Sequence, residues 1–83
     1  MTYFVYMLKC VSVPYKKTYV GYTKDLIKRL FLHNSSKGAK FTKGNKWKII
    51  YKKKFTSKSD ALSYEYKIKH DKKKRLEIYN KYK

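Results

Sequence analysis

Thr18-Tyr19-Val20-Gly21-Tyr22-Thr23, followed by Lys24-Asp25-Leu26-Ile27-Lys28-Arg29-Leu30-Phe31-Leu32-His33-Asn34, decides the fold. A short β-prone segment runs through a glycine, and a helical pattern starts just beyond it. On that helix Arg29 and His33 stand four residues apart, one above the other on a single face. Gly21 marks a place where something comes close to the backbone. A guanidinium and an imidazole converging beside tyrosines suit a phosphate better than an apolar ligand.

The rest of the chain supplies a small α+β fold around this stretch. Tyr3 to Cys10 is a nearly continuous apolar and aromatic run, the pattern of a strand buried on both faces. Pro14 ends its ladder, and Thr18 to Tyr22 returns as a second strand, antiparallel to the first. Tyr6 and Tyr19 are then placed to meet across the pair. Thr23 is expected as the N-cap of the first helix, with Asp25 in its first turn and Leu26, Ile27, Leu30 and Phe31 as its apolar face. A polar loop from Asn34 to Gly38 follows, and Ala39 to Lys46 is expected to be irregular and basic. That basic loop reads either as a solvated connection or as a grip on a nucleic-acid backbone.

Trp47, Ile49, Tyr51 and Phe55 alternate as the inward face of a third, edge strand, which Lys53 interrupts. Ser57 caps a second helix, with Asp60 as its capping-box partner and Ala61, Leu62 and Ile68 facing inward. Asp71 to Arg75 reads as a basic break or helix start, with Asp71 and Glu77 as counter-charges. Leu76, Tyr79 and Tyr82 mark a short closing helix. The expected architecture is one domain over residues 1–83: a mainly antiparallel three-stranded sheet with helices packed around it.

Charge narrows the function. Lys and Arg number 23 against 5 Asp and Glu, a formal charge of +18 on 83 residues. Such a field repels itself and calls for a polyanion, with nucleic acid first and an anionic membrane second. Neither helix has the pattern of an interfacial anchor, which leaves nucleic acid. Only Arg29 and Arg75 are arginines in this lysine-biased chain, so arginine at 29 carries information. The single cysteine, Cys10, allows no intrachain disulfide and reads as a buried thiol in a reducing compartment. No signal-peptide pattern or membrane-span length appears, and a soluble, cytoplasmic protein is expected. His33 and His70 have no cysteine between them to complete a zinc set, and no phosphate-cradling glycine loop is present.

Glu65 is the misfit. It sits among Ala61, Leu62 and Ile68 at helical spacing, on an apolar face where an unpaired carboxylate is costly. A metal ion, a salt bridge to Arg29, or a wet cleft would each satisfy it; a boundary position bent toward solvent would also do so. With so few acidic groups, one hard divalent cation that keeps several waters is the metal site the composition allows.

Taken together these residues resemble the GIY-YIG nuclease family. Phe4-Val5-Tyr6 stands for the first motif and Tyr19-Val20-Gly21 for the second. Arg29 and His33 follow at family spacing, and Glu65 falls where the family carries its metal-binding glutamate. The resemblance covers nearly the whole chain and is closest to the small stand-alone members. The first motif departs from the pattern, with Phe4 for glycine and Val5 for isoleucine. Asn80 is a loose match to a late core asparagine.

The resemblance implies a metal-dependent endonuclease that hydrolyses phosphodiester bonds in DNA, with structure selectivity as the expected mode for so small a module. Glu65 would hold one Mg²⁺ or Mn²⁺, and Tyr6 would act as base or relay for the attacking water, its pKa lowered by the lysine field and the nearby cation. Tyr19 would orient water or phosphate, Arg29 would clamp the phosphate, and His33 would position it or share its protons. Gly21, Lys28, Lys37, Lys40 and Lys43 are expected along the nucleic acid. The competing reading is a DNA- or RNA-binding module on the same fold with weak or absent nuclease activity.

Overall fold

A computed structural model describes residues 1–82. The elements run β1 (Tyr3–Cys10), β2 (Thr18–Thr23), α1 (Leu26–Asn34), a 3₁₀ turn (Lys40–Thr42), β3 (Trp47–Phe55), α2 (Lys58–Lys69) and α3 (Lys72–Tyr82). The three strands form one antiparallel sheet in the order β2-β1-β3. This is the α+β arrangement the sequence predicts.

The apolar run of β1 becomes the centre of the sheet because both of its faces are covered. Val5 and Met7 join Val20, Ala61, Ile68 and Ile78 under α2 and α3. Tyr6, Leu8 and Cys10 turn the other way, to Trp47, with Leu26 and Leu30 of α1 packed against them. Cys10 is a buried free thiol, as expected.

The third strand differs from its simple alternation. The β1–β3 register slips between Met7 and Leu8, which pair with Tyr51 and Ile49 and leave Ile50 as an extra residue. This bulge switches faces along the strand. Trp47 and Ile49 belong to the α1 side, whereas Ile50, Tyr51 and Phe55 belong to the α2–α3 side.

The helix caps also differ in detail. Asp25, not Thr23, caps α1: its carboxylate accepts from the Lys28 amide at 3.1 Å, while Thr23 Oγ1 accepts from the Asp25 amide one step earlier. Ser57 caps α2 as expected, accepting from the Asp60 amide. Asp71 is a cap as well, accepting from the Lys74 amide at the start of α3.

The inward face of α1 is Leu26, Leu30 and His33, while Ile27 and Phe31 are 84% and 67% exposed. The predicted apolar stripe is therefore rotated, because a buried hydrogen-bonding histidine takes the inner position. In α2, Ala61, Tyr64 and Ile68 face the core and Leu62 is exposed.

Asn34, the last residue of α1, ties the helix to the sheet. Its side chain donates to the Trp47 carbonyl at 3.1 Å and accepts from the Trp47 amide at 2.5 Å, in the manner of a neighbouring strand. Asn34→Ala leaves both backbone groups of Trp47 without these partners in a part-buried place. It is expected to cost about 2 kcal/mol in urea denaturation. The exposed neighbour change Lys37→Ala should stay within about 0.5 kcal/mol of the parent.

Candidate active site

The site is built on Tyr6. In β1 this residue pairs with Gly21 of β2, and its ring lies directly over that glycine. A Cβ at position 21 would sit 2.5 Å from Tyr6 Cζ and would collide with the hydroxyl. What comes close to the Gly21 backbone is thus the tyrosine itself. Gly21 is buried and does not form a surface for nucleic acid, which corrects its expected place there.

The Tyr6 hydroxyl is held from two sides. His33 Nε2 lies 2.9 Å away, and Arg29 Nε donates to the same oxygen at 3.4 Å. The other ring nitrogen, His33 Nδ1, lies 2.8 Å from Thr42 Oγ1, which gives its single proton to the Ala39 carbonyl at 2.8 Å. Thr42 therefore accepts from Nδ1–H, which leaves Nε2 bare. It follows that the Tyr6 hydroxyl donates to His33. The sequence alone places Arg29 and His33 on one face; the structure adds that both meet Tyr6.

Burial governs the titration of Tyr6 and His33. It raises Tyr6 to about 12, against smaller opposing pulls from the Arg29 hydrogen bond and charge. The lysine field alone does not bring the expected lowering, because surface charges are screened by solvent while desolvation acts at the buried ring. His33 is shifted below 6.5, first by burial and then by the Arg29 charge, so it is a neutral base at pH 7. Arg29 is raised, mainly by its hydrogen bond to Tyr6 and further by Tyr19.

Tyr19 stands beside the trio as expected, its ring centroid 6.4 Å from that of Tyr6 and 5.1 Å from that of His33. Glu65 lies within electrostatic reach, since its charge helps to raise Tyr6. Its side chain is 19% exposed and pairs with Lys69 at 3.5 Å, one turn along α2. The ion pair is thus with Lys69 and not with Arg29.

Among the described residues no three His, Cys, Asp or Glu side chains gather as a metal cluster. One partly exposed carboxylate, paired with an exposed ammonium, fits a hard cation that keeps most of its waters. Lys28, Lys37, Lys40 and Lys43 are all exposed. Asn80 is on α3, exposed, and lines a separate hollow with Ile50 and Tyr51, so it takes no place around Tyr6.

Three contributors escape the sequence patterns. Thr42, fully buried, fixes the His33 tautomer. Gly38 passes so close to the His33 ring that a Cβ would lie 2.5 Å from Nδ1. Phe41 stacks on Tyr19 at 6.1 Å and 22°. The available signal was Phe41 itself, an aromatic residue in a loop of lysines.

Burial of neutral His33 makes stability depend on pH. The unfolded chain takes up a proton at about 6.5, whereas the folded chain resists it until lower pH. His33 therefore contributes full stability above that value and loses it as pH falls through it. Urea midpoints at pH 7.5 and 5.5 should show this decline. His33→Gln, which keeps an amide between Tyr6 and Thr42 but does not titrate, should flatten it.

The GIY-YIG catalytic domain model matches residues 2–83. A UPF0213 protein of Oceanobacillus iheyensis is 43% identical over 68 residues, 81% of this chain and 76% of its own length. UPF0213 protein YsiG of Lactococcus lactis is 48% identical over 69 residues, 82% of this chain and 64% of its own length. The solution NMR structure of a UPF0213 protein from Bacillus halodurans superimposes with a TM-score of 0.56 at 34% identity, covering all of this chain and 86% of that one. With Tyr6, Tyr19, Arg29, His33 and Glu65 arranged as described, the chain belongs to the GIY-YIG family, a family of nucleases.

Proposed function

We propose that this protein is a divalent-metal-dependent endonuclease that hydrolyses phosphodiester bonds in DNA. The observation that carries the reading is the Tyr6 hydroxyl suspended between His33 Nε2 and Arg29 Nε. Core packing alone would not require a buried tyrosine to share its oxygen with a guanidinium and a neutral imidazole.

The geometry supplies a proton path. A tyrosine raised to about 12 is seldom ionised at pH 7, so Tyr6 does not act as a free phenolate. It acts as a relay: its oxygen takes a proton from the attacking water while its own proton passes to His33 Nε2, already in hydrogen-bond reach. Burial and the Arg29 charge disfavour the imidazolium so formed, which resets His33 for the next turnover. Arg29 spends Nε on Tyr6, and its remaining N–H groups suit the phosphoryl oxygens where charge develops. Tyr19, beside Tyr6 and His33, orients the phosphate or the water. Glu65 would hold one Mg²⁺ or Mn²⁺; bound there, such an ion supplies charge screening at the phosphate and help to the leaving oxygen.

The +18 charge supplies substrate attraction without sequence preference. Lys28, Lys37, Lys40 and Lys43 are the proposed backbone contacts.

Labelled duplex, flap and branched DNA, incubated with Mg²⁺, Mn²⁺ or EDTA, test the reading. Metal-dependent cutting is expected, reduced at least about 100-fold by Glu65→Ala or Arg29→Ala. Glu65→Ala should still bind. Tight binding by the parent and by Glu65→Ala with no cutting of any substrate would replace this reading with a binding module and make RNA the next ligand. Neutralising about six phosphates gives a log–log salt slope near −5, and a flat plot would remove nucleic acid altogether.

A further inference from the structure

One aromatic residue is presented to solvent beside this site. Phe41 lies in the 3₁₀ turn Lys40–Thr42 and is 53% exposed. It is held from beneath: its ring stacks on Tyr19 and tilts against Trp47 at 6.2 Å. The turn itself is pinned, because Thr42 bonds to Ala39 through both its amide and its hydroxyl, and Trp47 Nε1 donates to the Thr42 carbonyl at 3.0 Å. An aromatic ring on a rigid support, directly over a tyrosine of the site, is a pre-formed stacking surface.

Its surroundings are cationic. A hollow of about 320 Å³ opens along the outer edge of β2, lined by Thr18, Tyr19, Val20, Phe41, Lys69 and Arg75. This volume lies within the range of small-ligand sites. Lys17 Nζ lies over the Phe41 ring at 4.9 Å, and Lys69 Nζ lies 6.0 Å from the Tyr19 ring. A lysine over an exposed ring is held more weakly than a stacked base, and its flexible stem lets it swing to the phosphate of the same nucleotide.

We propose that Phe41 is a stacking platform for one unpaired base of the substrate, so that the site takes a nucleic acid with a single-stranded nucleotide next to the phosphate held by Arg29. An intact duplex keeps both faces of each base within its own stack and offers nothing to Phe41. The proposal rests on the nucleic-acid reading above and supplies its substrate class: a duplex carrying a single-stranded tail or flap.

Binding in EDTA tests it apart from cleavage. The probes are a blunt duplex, the same duplex with a single-stranded tail, and the same tail built of abasic nucleotides. The parent is expected to prefer the tailed duplex. Phe41→Ala should weaken that complex about 5- to 150-fold and change blunt-duplex binding less than about twofold. The abasic tail, which keeps its phosphates, should reduce the parent to the level of the variant. Phe41→Leu covers Tyr19 but has no flat π face, and should behave like Phe41→Ala. Phe41→Trp should retain the preference, and thermal unfolding of each variant checks that the fold is kept.

Equal weakening of both duplexes by Phe41→Ala would overturn the proposal. So would full tail affinity in Phe41→Leu, or a parent that does not distinguish tail from blunt end. A protein that shows the Phe41-dependent preference but cuts nothing would sustain the platform and refute the nuclease. One that cuts without the preference would do the reverse.

Discussion

The hydrogen bond between Tyr6 and His33 is the constraint on which the rest of the structure depends. Burying a hydroxyl and an imidazole costs several kcal/mol unless each polar atom is paired. The fold pairs all of them: Thr42 and Tyr6 take the two nitrogens of His33, and among the described residues no buried side-chain nitrogen or oxygen lacks a partner. The neighbouring geometry follows from that requirement. Helix α1 rotates until His33 points inward and leaves Ile27 and Phe31 in solvent. Gly21 and Gly38 stay without side chains because the two rings occupy the space a Cβ would need. Asn34 fixes the end of the helix that carries His33.

The charge of the molecule acts on a different scale from the chemistry of its site. Surface lysines create a broad positive field, but solvent screens it over about 8 Å at physiological salt. Several lysines also lie over aromatic rings, such as Lys48 at 5.1 Å from the Tyr82 ring and Lys53 at 4.9 Å from that of Tyr64. There the ring faces offset part of the mutual repulsion. The protonation of Tyr6 and His33 is decided within a few ångströms by desolvation and by Arg29. The positive field of the surface and the protonation of Tyr6 and His33 are thus separable properties of one small chain.

Much of the fold was legible in the sequence because it rests on patterns with short reach. The continuous apolar run of β1 identified a strand covered on both faces, and the spacing of Arg29 and His33 identified a shared helix face. What escaped depended on partners far along the chain. The bulge at Ile50 answers to β1 across the sheet, and no feature of residues 47–55 alone announces it. The rotation of α1 reflects the hydrogen bond that His33 accepts from Tyr6, 27 residues away. Hydrophobicity placed Ile27 and Phe31 inside because such scales cannot see that bond. Glu65 was recognised as a misfit on an apolar face, but its pairing with Lys69 depends on side-chain reach rather than on burial pattern.

The 3₁₀ turn Lys40–Thr42 shows how a chain of this size economises on structure. Two adjacent residues of the turn face in opposite directions: Thr42 is fully buried against His33, and Phe41 is half in solvent on Tyr19. The same bonds to Ala39 and Trp47 hold both. The turn is anchored at its last residue: the Thr42 carbonyl accepts from the indole of β3 and the Thr42 hydroxyl meets the histidine of α1. The element that sets the proton position on His33 is therefore also the element that presents an aromatic face beside Tyr19. Any shift of the turn would move the two together.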